Sequence, residues 1–381
     1  MKITSMEIFE IVVPLKDKYT LSKVIGSKSS TECVLVKIDT DEGIYGIGEA
    51  DPHVPFTEES MESITYCILN YLSPLVIGQD PENIEGINSL MDQGVKLNLM
   101  AKGAINMACY DILGKKRNIP IYEMFGGKIR DFIPLAWSVG NSPPEQTVKD
   151  VQKAHDEGFK TIMIKTGHFA PHTDIERIRL VRNTYPNIKI IVDVNQGWDV
   201  ETSIEVGRKI APLDIYFLEQ PVPYWDIEGL AKIKKSIPIP ISVDESLLTL
   251  HDARRIIREG AADIFSIKVS KNGGISRAQK LIKIAAENEI KCWMNSMLEE
   301  GITQAASLHL GLSTPNLLDG GHAYFSPLRL AADISTYSEN IQDLKIYPPT
   351  RPGLGIDLKT ETINRFLRNK YNFSATNSAY R

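Results

Sequence analysis

Three acidic residues stand one structural period apart: Asp193, Glu219 and Asp244, separated by 26 and 25 residues. Each follows an apolar run, respectively Ile188 to Val192, Ile215 to Leu218 and Ile239 to Val243. A single acid in such a place is a helix cap or a turn former. Three successive ones, if brought together, would drive one another's pKa values up unless a cation compensates. Oxygen-only ligation, with no His or Cys in the set, suits Mg2+, with Mn2+ as a second fit. Two lysines bracket the triad at the same spacing. Lys165 lies 28 residues before Asp193, and Lys268 lies 24 residues after Asp244, each at the end of its own apolar run. A lysine beside a divalent cation loses proton affinity and moves toward the range of a working base. The set reads as a site that removes a proton α to a metal-chelated carboxylate, with one lysine taking the proton and the other returning one from the opposite face or stabilising charge there.

Such a reading needs elements that deliver all five side chains to one place. From about residue 130 to 320 the chain alternates between strand-like runs and amphipathic helical segments such as PEQTVKDVQKAHDEG and ISRAQKLIKIAAENE. The runs begin near 133, 160, 188, 214, 239, 263 and 290, with a last one near 315. About eight such units predict a closed (β/α) barrel, whose strand ends converge on one mouth. An open doubly wound sheet is the alternative, and no GxGxxG follows a first strand to support it. Residues 1 to about 125 read as a separate unit, with two long strands, a DEG turn (Asp41 to Gly43) into IYGIGEA, and then helices. The tail LKIYPPTRPGLGIDLKTETINRFLRNKY leaves the barrel and is expected to return to that unit, and the last ten residues read as a frayed polar end.

The chain of 381 residues is long enough for two domains, and its net charge of -5 shows no clustered positive charge of the kind nucleic acid requires. No apolar span is long enough for a bilayer, so no membrane partner is expected. The first residues alternate like a strand and lack a signal peptide's apolar block, which predicts a cytoplasmic protein. Cys33, Cys67, Cys109 and Cys292 are far apart in apolar contexts and are expected to be buried free thiols.

The motifs IKTG, VDVNQGW, LEQP, VDES, IKVSKNGG and SMLEEGITQAASLHL, together with IYGIGEA, KGAINMACYDILGKKRNIPIYEMFGG and PGLGIDL, resemble the enolase superfamily. Within it they resemble the muconate-lactonizing (muconate cycloisomerase) subgroup, over nearly the whole chain. The resemblance implies a modified TIM barrel, (β/α)7β, with an α+β capping domain built from both termini. It implies a cap over residues 1–128, a barrel over 129–322 and a returning segment over 323–381. It also implies Mg2+ on Asp193, Glu219 and Asp244, with Lys165 and Lys268 catalytic. The mandelate-racemase-like subgroup would show a His near the seventh strand's end, and CWMNSM has none. Three positions depart from the pattern. Met163 stands where the first Lys of Lys-x-Lys is usual. Leu317-Leu318-Asp319 keeps only one acid of the Asp-x-Asp that dipeptide epimerases use for a substrate ammonium. Ala323 stands where cycloisomerases usually have Glu.

Asn195 and Glu245 are expected to support the metal ligands. Glu299 either faces the pocket or caps the next helix, and Asp319 is a candidate substrate contact. Lys271 and Asn272 read as part of a turn before Gly273 and Gly274, and His168 and His172 do not read as a metal site. Tyr19, Val24, His53 and Phe56 lie on cap loops that would close over a partly apolar substrate. The expected partners are a small carboxylate substrate and further copies of the chain. The first functional expectation is an isomerase, either a cycloisomerase or a racemase or epimerase of an amino-acid derivative. A lyase comes second, o-succinylbenzoate-synthase-like or a hydroxy-acid dehydratase, and a non-catalytic barrel third.

Overall fold

The computed structural model describes residues 1–374. Its N-terminal part is an antiparallel sheet of β1 (Ile3–Thr20), β2 (Ser27–Thr40) and β3 (Tyr45–Ala50). β2 and β3 form the hairpin expected around the DEG turn, pairing Asp39 with Tyr45 and Val34 with Ala50. Helices α1 (Met61–Cys67), α2 (Ile84–Gly94) and α3 (Leu99–Arg117) follow. The long helical stretch breaks between α2 and α3, where Leu97 and Asn98 adopt left-handed backbone. The two glycines of IYGIGEA explain how closely α3 lies on the sheet. A Cβ on Gly48 would come within 1.9 Å of the Ala104 carbonyl oxygen, and one on Gly46 within 2.1 Å of that of Ala108.

Seven parallel strands follow in sequence order: β4 (Trp137–Val139), β5 (Thr161–Lys165), β6 (Lys189–Asp193), β7 (Ile215–Glu219), β8 (Ile241–Val243), β9 (Ile264–Ile267) and β10 (Lys291–Met294). Their near-continuous apolar runs belong to strands covered on both faces. The helices between them are α4 (Pro144–Glu157), α5 (Pro171–Thr184), α6 (Val200–Ile210), α7 (Ile227–Ser236), α8 (Leu250–Glu259) and α9 (Ile275–Glu287), and α10 (Gly301–Ser313) follows β10. The ring closes through residues 316–323, which run as irregular chain with isolated bridges. Cys292 of β10 pairs with Leu317, and Leu135, just before β4, pairs with His322. Trp293 donates its indole N–H to the Gly321 carbonyl at 2.9 Å across this closure. The architecture is therefore a (β/α)7β barrel under an α+β cap.

Met163, Ile191, Phe217 and Trp293 fill the barrel interior as a small cluster of their own. The larger core is continuous from the cap sheet to the barrel helices. The tail does return to the cap. β11 (Leu367–Ser374) pairs antiparallel with the outer edge of β1, with Ser5 opposite Ser374 and Ile8 opposite Tyr371. The first three of the residues expected to fray are thus strand, and 375–381 lie outside the described residues. All four cysteines are buried free thiols. Among the described residues no helix is long and apolar enough to cross a membrane.

Candidate active site

The parallel register places Lys165 beside Asp193 and Asp193 beside Glu219 on three neighbouring strands. Asp244 stands just past β8, and Lys268 just past β9. The backbone turns sharply after these side chains. Asn195, Gln196 and Gln220 are non-glycine residues with φ of 42°, 65° and 35°. Such conformations persist where the surroundings hold them, and they cluster at functional sites. Gln220 shows how. Its amide group donates to the Val222 carbonyl and to Ser246 Oγ, and its oxygen accepts from the Asp244 and Ser246 amides.

Charge alternates across the mouth. Lys165 Nζ pairs with Asp193 Oδ2 and donates to Asn195 Oδ1 at 3.1 Å. Lys268 Nζ reaches Asp244 Oδ2 at 2.7 Å, and Lys271 Nζ reaches the other oxygen of Asp244 at 2.7 Å. Glu219 sits between them and accepts from Asn295 Nδ2 at 2.9 Å through Oε1. Its Oε2 is buried without a hydrogen-bond partner, as is Glu245 Oε2.

Burial alone would depress both lysines, but the Asp193 carboxylate carries Lys165 upward and the Asp244 carboxylate does the same for Lys268. Burial, followed by the charges of Asp193 and Asp244, pushes Glu219 well above the usual carboxylate range. Burial also works to raise Asp244, yet Lys268 and Lys271 outweigh it and hold that carboxyl low. An orphaned carboxylate oxygen between two further buried carboxylates is what a hard divalent cation would satisfy. Asp193, Glu219 and Asp244 are the residues that could hold it.

The cavity over this cluster is lined by Lys165, Asn195, Lys268 and Asn295 at its floor. Tyr19, Leu21, His53 and Phe56 reach it from the cap, and Met163, Met297, Leu298 and Phe325 give it an apolar wall. Cap and barrel loops are tied together here. Tyr19 Oη lies 2.5 Å from Ser138 Oγ, Ser22 Oγ donates to the Asn195 carbonyl at 2.8 Å, and the Lys23 amide donates to the Gly167 carbonyl at 3.1 Å. The Phe56 ring lies 4.3 Å from Lys268 Nζ, a cation–π contact.

Asn195 and Glu245 are brought together, with Asn195 Nδ2 3.3 Å from Glu245 Oε1. Burial, then the charges of Asp244 and Asp193, push Glu245 up to about 8. Glu299 does neither of the two things expected of it. It accepts from Ser296 Oγ at 2.6 Å, from Gln304 Nε2 at 2.9 Å and from the Met297 amide, so it fastens the 296–298 loop from behind. Burial pushes it up to about 7.

Two expectations are corrected. Val24 is 48% exposed and is not among the residues lining the cavity, because its loop turns the side chain outward while Leu21 points in. Asp319 lies at the opposite end of the barrel. It pairs with Lys189 Nζ at 2.9 Å and accepts from Tyr216 Oη at 2.7 Å, beside the first residues of β6 and β7. The eighth segment reaches the mouth only with Ala323 and Phe325, so an acid at 319 is about one strand length too early.

Sequence reasoning missed Asn295 and Lys271. Asn295 bonds Glu219 and also donates to Ser266 Oγ at 2.8 Å. The asparagine right after β10 stands in CWMNSM and is the signal in the sequence that could have found it. Lys271 does occupy a turn, as read, but its long stem carries the ammonium back to Asp244. Backbone assignment alone does not reveal such a reach.

The parallel barrel under an antiparallel cap, with acids on consecutive strands and flanking lysines, defines a class that comparison with known proteins makes specific. Residues 146–362 match the family description "Enolase C-terminal domain-like", and residues 5–126 match "Mandelate racemase / muconate lactonizing enzyme, N-terminal domain". The chain belongs to this family, and it is an isomerase. It is 35% identical to the N-succinyl-L-Arg/Lys racemase of Bacillus cereus, over 95% of this chain and 97% of that one. The solved structure of that racemase superposes with a TM-score of 0.94 at 33% identity, covering 98% of this chain and 100% of its own. The chloromuconate cycloisomerase CbnB of Cupriavidus necator is 31% identical over 97% of this chain and 100% of that one. The dipeptide epimerase of Cytophaga hutchinsonii, solved with Mg and the dipeptide D-Ala-L-Val, gives a TM-score of 0.91 at 30% identity, covering 98% of this chain and 100% of that one.

Proposed function

We propose that this enzyme racemises or epimerises a small carboxylate by removing the proton α to the carboxyl group and returning one to the opposite face. The observation that carries this reading is the placement of the two lysines. β5 and β9 are the second and sixth strands of an eight-membered ring, and so lie across the barrel from each other. Both ammonium groups line one cavity and flank the same acids. A single-base reaction needs one such lysine, and exchange on both faces needs two.

Asp193, Glu219 and Asp244 would hold Mg2+, and the Mg2+–epimerase structure of a relative supports that choice. When bound, the ion supplies electrostatic stabilisation for the charge that builds on the substrate carboxylate. Lys165 and Lys268 take and return the proton. Asn195 and Asn295 hold acid side chains in position, and the latter does so from just past β10 against Glu219. Tyr19, His53 and Phe56 exclude water from above. In this reading residues 1–128 and the returning segment 323–381 serve the cap, and 129–322 the catalytic barrel. In this reading the substrate is not held through an ammonium, because among the described residues no acidic side chain lines the cavity and two lysines do.

The test is proton NMR of the enzyme in D2O with Mg2+ and a panel of N-acylamino acids, proline derivatives, dipeptides, muconates and hydroxy acids, with an EDTA control. Loss of an α-proton signal with the skeleton retained is the expected outcome. A new lactone or alkene signal would instead make the enzyme a cycloisomerase or a lyase. No change across the panel would overturn the proposal.

A further inference from the structure

Arg329 has no part in the chemistry above, yet three aromatic rings are arranged around it. It ends a single helical turn, Ser326–Arg329, that follows the cavity residue Phe325. The chain then runs beside β1. Leu330 bridges Leu15, and the Ala331 amide donates to the Pro14 carbonyl at 2.8 Å. This path carries the guanidinium to the junction of cap and barrel. Its Cζ lies 4.5 Å from the ring centroid of Tyr19 on the cap, and 4.3 Å and 5.3 Å from those of Trp137 and Phe325 on the barrel. One of its terminal nitrogens donates to the Ser138 carbonyl. Nε is buried and has no hydrogen-bond partner among the described residues. Asp17 favours the charge without forming an ion pair. A cation so placed is held by ring faces rather than by a counter-ion. A flat guanidinium can lie against several faces at once, which a compact ammonium cannot.

Tyr19 is the ring of the three that belongs to the cap. It is 5% exposed, it lines the cavity together with Lys165, and its Oη meets Ser138 Oγ at 2.5 Å. After burial and the Asp193 carboxylate, the Tyr19 phenol oxygen is the next group acting on the Lys165 charge, so the two side chains are close. The backbone beside Tyr19 is anchored separately, because the Asn141 amide donates to the Thr20 carbonyl at 2.7 Å. What Arg329 adds is a face for the ring to lie on. Lys268, across the barrel, has a different cover in Phe56, which comes from the loop after β3.

We infer that Arg329 is a positioning residue that acts through Tyr19, clamping that ring against the barrel and so keeping water from Lys165 but not from Lys268. This holds whichever carboxylate the enzyme turns over, because it concerns access to one lysine and not the substrate. An apolar side chain at 329 would leave the Ser138 carbonyl without this donor and the Tyr19 ring without its cation.

The experiment is reductive methylation of the Mg2+-loaded enzyme with formaldehyde and dimethylamine–borane, with the rate at each lysine read by mass spectrometry. Arg329→Met should speed labelling of Lys165 at least fivefold and of Lys268 less than twofold. Tyr19→Ala should do the same, and the double variant should label Lys165 no more than twofold faster than Tyr19→Ala alone. An unchanged rate at Lys165 in Arg329→Met would overturn the inference. So would additive effects of the two substitutions, since Arg329 would then not act through Tyr19. Equal acceleration at both lysines would mean a loosened fold and would overturn it as well. If Arg329→Met does not fold, as judged by a thermal melt, Arg329→Lys carries the same comparison. It keeps the charge and loses the plane, and should speed labelling of Lys165 at least twofold.

Discussion

Two groups of buried acids lie within this molecule, and they are treated in opposite ways. At the barrel mouth Asp193, Glu219, Asp244 and Glu245 are interleaved with Lys165, Lys268 and Lys271. At the seam between cap and barrel, Glu49, Asp51 and Glu300 are just as buried, and no ion pair reaches any of the three among the described residues. Glu49 instead caps α10, accepting from the Glu300 and Thr303 amides at 2.7 Å each. Neither oxygen of Glu300 finds a hydrogen-bond partner, although the Ile334 amide leans toward it. Burial pushes Glu49 up to about 7 and pushes Asp51 and Glu300 well above the usual range. Burial raises every acid of the seam, whereas at the mouth Lys268 and Lys271 hold Asp244 low, and Glu219 and Glu245, which make no ion pair among the described residues, are raised there as well. Glu49, Asp51 and the Cys33 thiol lie close enough together to be mistaken for a metal site. What distinguishes the mouth is the lysines beside the acids.

The comparison can be broken most severely at the lysines. Lys165→Ala and Lys268→Ala should each lower turnover by roughly 10²–10⁴-fold. Mg2+ binding, followed by calorimetry, should survive in both variants. A fully active variant would refute the two-lysine account. Lys271→Met comes next. It leaves Asp244 with one cation instead of two, and breaking a buried pair costs on the order of 3–5 kcal/mol. A midpoint shift in urea would report the loss, and no shift would show that Lys268 alone suffices.

Glu300→Gln should act in the opposite sense. A carboxyl whose folded pKa is raised contributes stability below its unfolded pKa and loses it as pH rises through the folded value. Ionised Glu300 therefore weakens the seam in alkaline solution, and the neutral amide should stabilise the protein at pH 8 to 9 by about 1–3 kcal/mol, with little gain near pH 4. A melt series across pH that ran parallel to wild type would contradict the neutral-acid view of the seam. Asp319→Asn should have the smallest effect. Its carboxylate is 85% exposed and its pair with Lys189 is a surface one, worth under about 1 kcal/mol, so both activity and melting point should stay close to wild type.

Much of this was legible in one dimension. The barrel and the five central side chains follow from a single rule. A parallel strand–helix period of about 25 residues carries whatever stands at the end of each apolar run to the same rim. Asp193, Glu219 and Asp244 obey that rule, as do Lys165 and Lys268, because regular strands keep their register. The rule failed where the strand is irregular. The eighth segment is only a set of bridges over 316–323, so counting from its start put Asp319 at the wrong end. Loop side chains escaped it too. Val24 and His53 looked equivalent as cap-loop residues, and only one of them faces the cavity.

By itself the sequence determined the class of chemistry, because the types and spacing of charged residues on regular strands are local properties. The tertiary structure decided the rest. It showed which partners the acids have, since Lys271 reaches Asp244 across 27 residues and Asn295 reaches Glu219 across 76. It turned Glu299 into a loop brace. It also left His53 with a buried ring nitrogen that no group among the described residues satisfies. Each of these depends on which groups share one buried volume, and burial is a property of the folded whole that no stretch of residues carries alone.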